Sequence, residues 1–128
     1  MLKILLLIAA IIEVVFRGLP AIFAGEGIAN LFGLEFIQGA LVYVHPFGMF
    51  MIVFGIMFFI ASKDPVKYNI IVDVAILRYA AALVAYIVSL IKLGSLETFW
   101  WIHLVIDVLL LVLFIIVRPK TGPAQAAA

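Results

Sequence analysis

Residues 96–117 read LETFWWIHLVIDVLLLVLFIIV, and this stretch decides the fold. It is long enough to cross the roughly 30 Å hydrocarbon core of a bilayer as one α-helix, and it holds no glycine or proline. Past Glu97 its only ionisable residues are His103 and Asp107. Trp100 and Trp101 fall where an interfacial aromatic belt belongs. Arg118-Pro119-Lys120 stops the helix, because proline cannot continue it, and the tail 121–128 (TGPAQAAA) reads as disordered.

Three more spans appear on working back from it. Gly94 fits a helix end and Ser95 a cap, with Glu97 favourable in the following first turn. The preceding span covers 69–93 and starts from Ser62-Lys63-Asp64-Pro65, where Asp64 caps and Pro65 suits a first helical position. Before it lies a span over 41–61; Pro46 as a first helical residue makes His45 a cap near the interface. Residues 25–40, GEGIANLFGLEFIQGA, read as an interfacial connection with a short helix in the headgroup region. The first span covers 2–24. Glu13 and Arg17 interrupt it where a secretory signal would stay apolar, so it reads as a retained helix that Gly18 and Pro20 end or kink.

Composition agrees. The chain has 128 residues, 69% hydrophobic and 12% charged, with a mean hydropathy of +1.40. Soluble domains carry about twice that charge, so lipid is the expected solvent, and four spans leave no room for a soluble catalytic domain. A net charge of +1 without basic runs argues against nucleic acid as a partner. With no cysteine, thiol chemistry and iron–sulfur ligation are excluded. Lys3, Lys63, Lys67, Arg118 and Lys120 gather at one end of the spans, which the positive-inside rule assigns to the cytoplasm. The expectation is an all-α, integral membrane four-helix bundle, up-down, one domain over 1–120, with both termini cytoplasmic.

Counted at about 1.5 Å per residue, Glu13, Arg78 and Asp107 reach one layer about 14 to 17 Å deep, near the midplane. Arg17, His45 and His103 form a second layer about 21 to 24 Å deep, and Asp73 stands alone nearer the cytoplasm. Glu13 and Arg17 share a helix face, as do His103 and Asp107, so His103 is expected to donate to Asp107. Arg78 is expected to be the main counter-ion. One meaning of the layers is structural glue between helices. The other is a pocket formed by Glu13, Arg17, His45, Arg78, His103 and Asp107 for a small ligand, a proton path or a quinone head group, because ionisable residues inside a membrane point to function. His45 and His103 are also a conceivable axial pair for a b-type haem. Gly48 and Gly55 mark close helix packing, while Met49, Met51 and Met57 read as apolar filler rather than metal ligands. No serine triad, phosphate loop or HExxH helix is present, so no catalytic residue is assigned.

LFGL after the first span, the glycine-spaced FGMFMIVFGIMFF, the loop SKDP, LRY in the third span and the terminal RPK resemble the small four-helix DoxX-like and BphX-like bacterial membrane proteins. The resemblance implies a bacterial inner membrane and an accessory or small-ligand-binding role in a larger membrane complex, as a homo-oligomer or with other subunits, rather than an enzyme. It carries over no catalytic residues. The alternatives are a quinone- or haem b-binding redox subunit and a small homo-oligomeric transporter.

Overall fold

A computed structural model describes residues 1–119 of the chain; Lys120 and the tail 121–128, expected to be disordered, lie outside the described residues. Among the described residues every regular element is helical. Four helices are long and apolar enough to cross a membrane: α1 (Leu2–Phe23), α3 (Gln38–Lys63), α4 (Asn69–Leu93) and α5 (Thr98–Val117). A short α2 (Gly25–Leu31) lies between the first two. The outer faces carry Ile4, Ile8, Phe50, Leu77, Val84, Leu109 and Ile116, all exposed. Water does not tolerate so continuous an apolar surface on a monomer, whereas lipid tails solvate it.

Neither Gly18 nor Pro20 ends α1. The helix passes through a π-helical stretch, Ile12–Gly18, and runs on to Phe23. Pro20 supplies the reason: it has no N–H to return to the preceding turn, and the neighbouring Leu19 N–H reaches back to the Val14 carbonyl in the wider π register. Glu13 and Arg17 both sit in this widened turn.

α1 packs closely on α3. A Cβ built on Gly48 would stand 2.9 Å from the Gly18 carbonyl oxygen, and one built on Gly55 would stand 3.0 Å from the Ala10 carbonyl oxygen. Only glycine lets the two backbones approach so far.

The loops differ from the expected caps in detail. Asp64 does cap, accepting the Lys67 N–H at 3.1 Å on Oδ1, but Pro65 to Tyr68 form a turn and α4 starts at Asn69. Gly94 closes α4 with φ +75° and an N–H bonded to the Leu90 carbonyl. Glu97, not Ser95, is the N-cap of α5, and it makes no side-chain bond there. Pro46 lies inside α3, which begins earlier with the turn Gln38–Ala40, so His45 is an exposed residue of the helix and not its cap.

The apolar core fills one half of the bundle. Leu6 and Ala9 of α1, Phe58 and Ala61 of α3, Val72, Ala75 and Tyr79 of α4, and Leu110 and Phe114 of α5 form it. The rings of Phe58, Tyr79 and Phe114 meet with centroids 5.8 to 6.4 Å apart.

Candidate functional site

A buried charge cluster sits where that core ends. The Glu13 carboxylate, fully buried, accepts three bonds: from Arg17 Nη1 at 3.0 Å, from Arg78 Nη2 at 3.1 Å and from the Tyr79 hydroxyl at 2.9 Å. Asp107, 1% exposed, accepts from Arg78 Nη1 at 3.2 Å. Arg17 Nη2 forms an ion pair with the same Asp107 Oδ1 at 2.6 Å. Two guanidiniums thus bridge two carboxylates across α1, α4 and α5. Formal charges cancel, which is what a group of buried ions requires.

The expectation of two layers is therefore corrected. Arg17 does not stand in a separate outer layer; the widened turn of α1 puts it in the same cluster as Glu13. Arg78, expected as the main counter-ion, contacts both carboxylates, and Arg17 does so equally. Asp73 is not alone either: Arg118 pairs with it at 2.6 Å at the far end of α5.

Above the cluster, in the half of the bundle opposite the core, lies a cavity of about 670 Å³, within the range of small-molecule sites. Arg17, Arg78 and Asp107 form its polar floor, and its walls are mainly apolar, with Phe16 and Ala21 from α1, Phe47 from α3, Ala82 and Ala85 from α4, and Phe99 from α5. Glu35, His103, Tyr86 and Trp100 add polar atoms on the way out.

The segment between α1 and α3 covers part of this space, for a local reason. α2 ends with Gly33 at φ +67°, its N–H on the Asn30 carbonyl and the Leu34 N–H on the Ala29 carbonyl. This paired pattern reverses the chain at a left-handed residue and brings Leu34 and Phe36 onto the cavity. Phe32 meets Phe99 of α5 edge-on at 5.2 Å.

The histidines do not behave as expected. His103 Nδ1 bonds the Phe99 carbonyl at 2.9 Å rather than Asp107. A carbonyl only accepts, so Nδ1 carries the hydrogen and the neutral ring keeps Nε2 as an acceptor. The preceding turn of its own helix outcompetes Asp107, which the two arginines already engage. His45 is exposed and does not line the cavity that His103 lines. The pair therefore does not fit one shared haem. Among the described residues no three His, Asp or Glu side chains gather as metal ligands would.

Of the six residues singled out in the sequence, Glu13, Arg17, Arg78 and Asp107 come together, His103 lines the cavity above them, and His45 stays outside. Two participants were not singled out. Tyr79 donates to Glu13, and Met51, far from being mere filler, receives Arg78 Nη2 on its sulfur at 3.2 Å. Tyr79 had a readable signal: it shares a helix face with Val72 and Ala75, and a buried phenol needs a partner. Comparison with protein-family models, curated proteins and solved structures finds no match for this chain.

Proposed function

We propose that this protein is an integral membrane binding component for a small lipid-soluble molecule, working as an accessory part of a larger membrane assembly or as a homo-oligomer. The observation that carries the reading is the cavity with apolar walls and a charged floor. Ligand sites combine a largely apolar enclosure with few, fixed polar groups, and charges kept at bilayer depth are costly enough to imply a use. An up-down bundle with both ends cytoplasmic puts the floor near the midplane and the cavity toward the outer leaflet; Lys3, Lys63, Lys67 and Arg118 support that orientation. The DoxX-like resemblance supports the accessory role and the bacterial inner membrane. One argument for partner subunits loses force, because a single chain already buries its polar seam; association then rests on the apolar outer surface.

Transport is less well supported than binding. Below the floor the path is closed by Leu6, Phe58, Val72 and Phe114, all fully buried. A redox role as a quinone-binding subunit keeps one favourable observation, the acceptor nitrogen of His103 beside the cavity, above the arginines of the floor.

The test is to purify the protein in mild detergent and extract what accompanies it for mass spectrometry. A lipid-soluble molecule held near one per chain by the wild type and lost from Ala82→Trp, which fills the cavity, is the expected result. Identical extracts from both would end the reading.

A further inference from the structure

The charges that line the cavity differ in how far they are already engaged. Arg17, Arg78 and Asp107 contact one another and Glu13 at 2.6 to 3.2 Å, and these four charges cancel. The guanidinium nitrogens left without a hydrogen bond, Arg17 Nε and Nη2 and Arg78 Nε, are buried and offer no surface to the cavity. The floor therefore holds no free group for the head of a ligand. Glu35 is different. It lines the same cavity, it is exposed, and it forms no ion pair among the described residues. With the cluster neutral and His103 in its neutral form, Glu35 leaves the site with one net negative charge.

The cavity is half open, and residues that line it yet are exposed mark its mouth: Glu35, Tyr43 at 77% and Trp100 at 41%. The edge-on contact of Phe32 with Phe99 at 5.2 Å ties the segment bearing Glu35 to the first turn of α5. There the rings of Phe99, Trp100 and His103 meet with centroids 4.3 to 6.1 Å apart. Phe36 and Tyr86 add two more rings to the lining.

We infer that the cavity takes a lipophilic cation, with an ammonium head held at Glu35 among these rings and an apolar body inside. The inference rests on the binding reading above and adds the sign and the place of the ligand's charge. Ring faces attract an ammonium and offer nothing comparable to an anion. At an open mouth the cation keeps part of its hydration, so the cost of burying a charge is largely avoided. A carboxylate head meets Glu35 as a like charge and finds both arginines already engaged, while a neutral head gains neither attraction. At the same end of the bundle Glu26 of α2 and Glu97 before α5 outnumber Lys92 of α4, so the surrounding field also favours a cation. An aminophospholipid and a free lipophilic amine both carry this chemistry.

Dodecyltrimethylammonium, dodecanol and dodecanoate share one chain length and differ in head charge. Their binding to purified protein in a mild uncharged detergent is read by native mass spectrometry and by thermal unfolding, for the wild type, Glu35→Gln and Ala85→Trp. The wild type is expected to bind the ammonium at least about tenfold more tightly than dodecanoate, and more tightly than dodecanol. Glu35 is exposed, so Glu35→Gln is expected to fold as the wild type does. It should weaken the ammonium by about threefold to fivefold and leave dodecanol unchanged. Ala85→Trp, which fills the cavity, is expected to bind none of the three. Displacement of the ammonium by dioleoyl phosphatidylethanolamine identifies the source as a phospholipid head group, and no displacement identifies it as a free amine. A wild-type preference for dodecanol or dodecanoate, or an ammonium affinity unchanged in Glu35→Gln, would overturn the charge inference; loss of that binding in Ala85→Trp would leave the binding reading standing. Failure of all three probes to bind the wild type would overturn both.

Discussion

The two halves of the bundle are built from the same four helices and solve opposite problems. In one half, side chains meet at the centre: Phe58, Tyr79 and Phe114 stack against Leu6 and Val72, and nothing there reaches solvent. In the other, the same helices stand around a space of about 670 Å³. The charge cluster lies on the boundary, with Glu13 bonded to Tyr79 of the packed half while Arg17, Arg78 and Asp107 face the hollow one. Rigidity on one side holds ionic groups ready on the other, and such support is what keeps a polar site in one geometry. Under the proposed function, the structural and functional readings of the buried charges become two faces of one cluster.

The boundary is the most sensitive place at which to break this arrangement. Glu13→Leu removes the group that three side chains share, leaving two arginines for one carboxylate. Breaking a buried ionic group on one side costs about 3 to 5 kcal/mol, so the variant is expected to lose most of its resistance to unfolding in a detergent-denaturant titration. Arg78→Leu errs in the other sign and is also expected to destabilise, because Arg78 bonds both carboxylates. Assembly alone therefore does not separate glue from site. A Glu13→Leu variant as stable as the wild type would show that the cluster is not the seat of the boundary.

Span positions and the meeting of Glu13, Arg78 and Asp107 at one level of the bundle were legible because both follow from counting residues along helices of known rise. Glycine spacing on α3 foretold close helix packing for a similar reason, since a missing side chain is visible in the sequence, but not that α1 is the partner. Depth counting failed at Arg17 because it assumes regular α-helix, and the π stretch before Pro20 changes which way a residue faces. It failed at His45 because Pro46 marks a helix start only when no turn precedes it, and Gln38–Ala40 does. The cavity was legible only at its polar lining, Arg17, Arg78, His103 and Asp107; its apolar walls were not, because they come from several helices and the segment after α1, and no single residue encodes a space.

Two alanines on one helix sharpen the contrast between the halves. Ala75 is fully buried in the packed half, and Ala85 lines the cavity. Ala75→Phe has to displace neighbours that are already close-packed, which costs about 1 to 3 kcal/mol or more. Ala85→Phe extends into open space and is expected to change stability by less than about 0.5 kcal/mol, while weakening binding of a cavity ligand. Parallel unfolding titrations of the two variants measure the difference. Equal losses would mean that the hollow half closes up when the protein is in lipid or detergent.

Smallest is the effect expected beyond the packed half, where Arg118 pairs with Asp73 at 2.6 Å between the end of α5 and the first turns of α4. These side chains are 56% and 40% exposed, so water and salt share their charges, in contrast to the cluster at the boundary. Exposed pairs contribute about 0.2 to 1 kcal/mol. Asp73→Asn is therefore expected to lower stability by no more than that, with the difference from wild type shrinking as salt rises and the screening length falls to about 3 Å near 1 M. Glu13→Leu is expected to keep its deficit at every salt concentration, because no ions enter a fully buried site. A deficit at Asp73 that ignores salt would place that pair in the same class as the central one, and the stabilising ionic contacts would then extend through the packed half to its end.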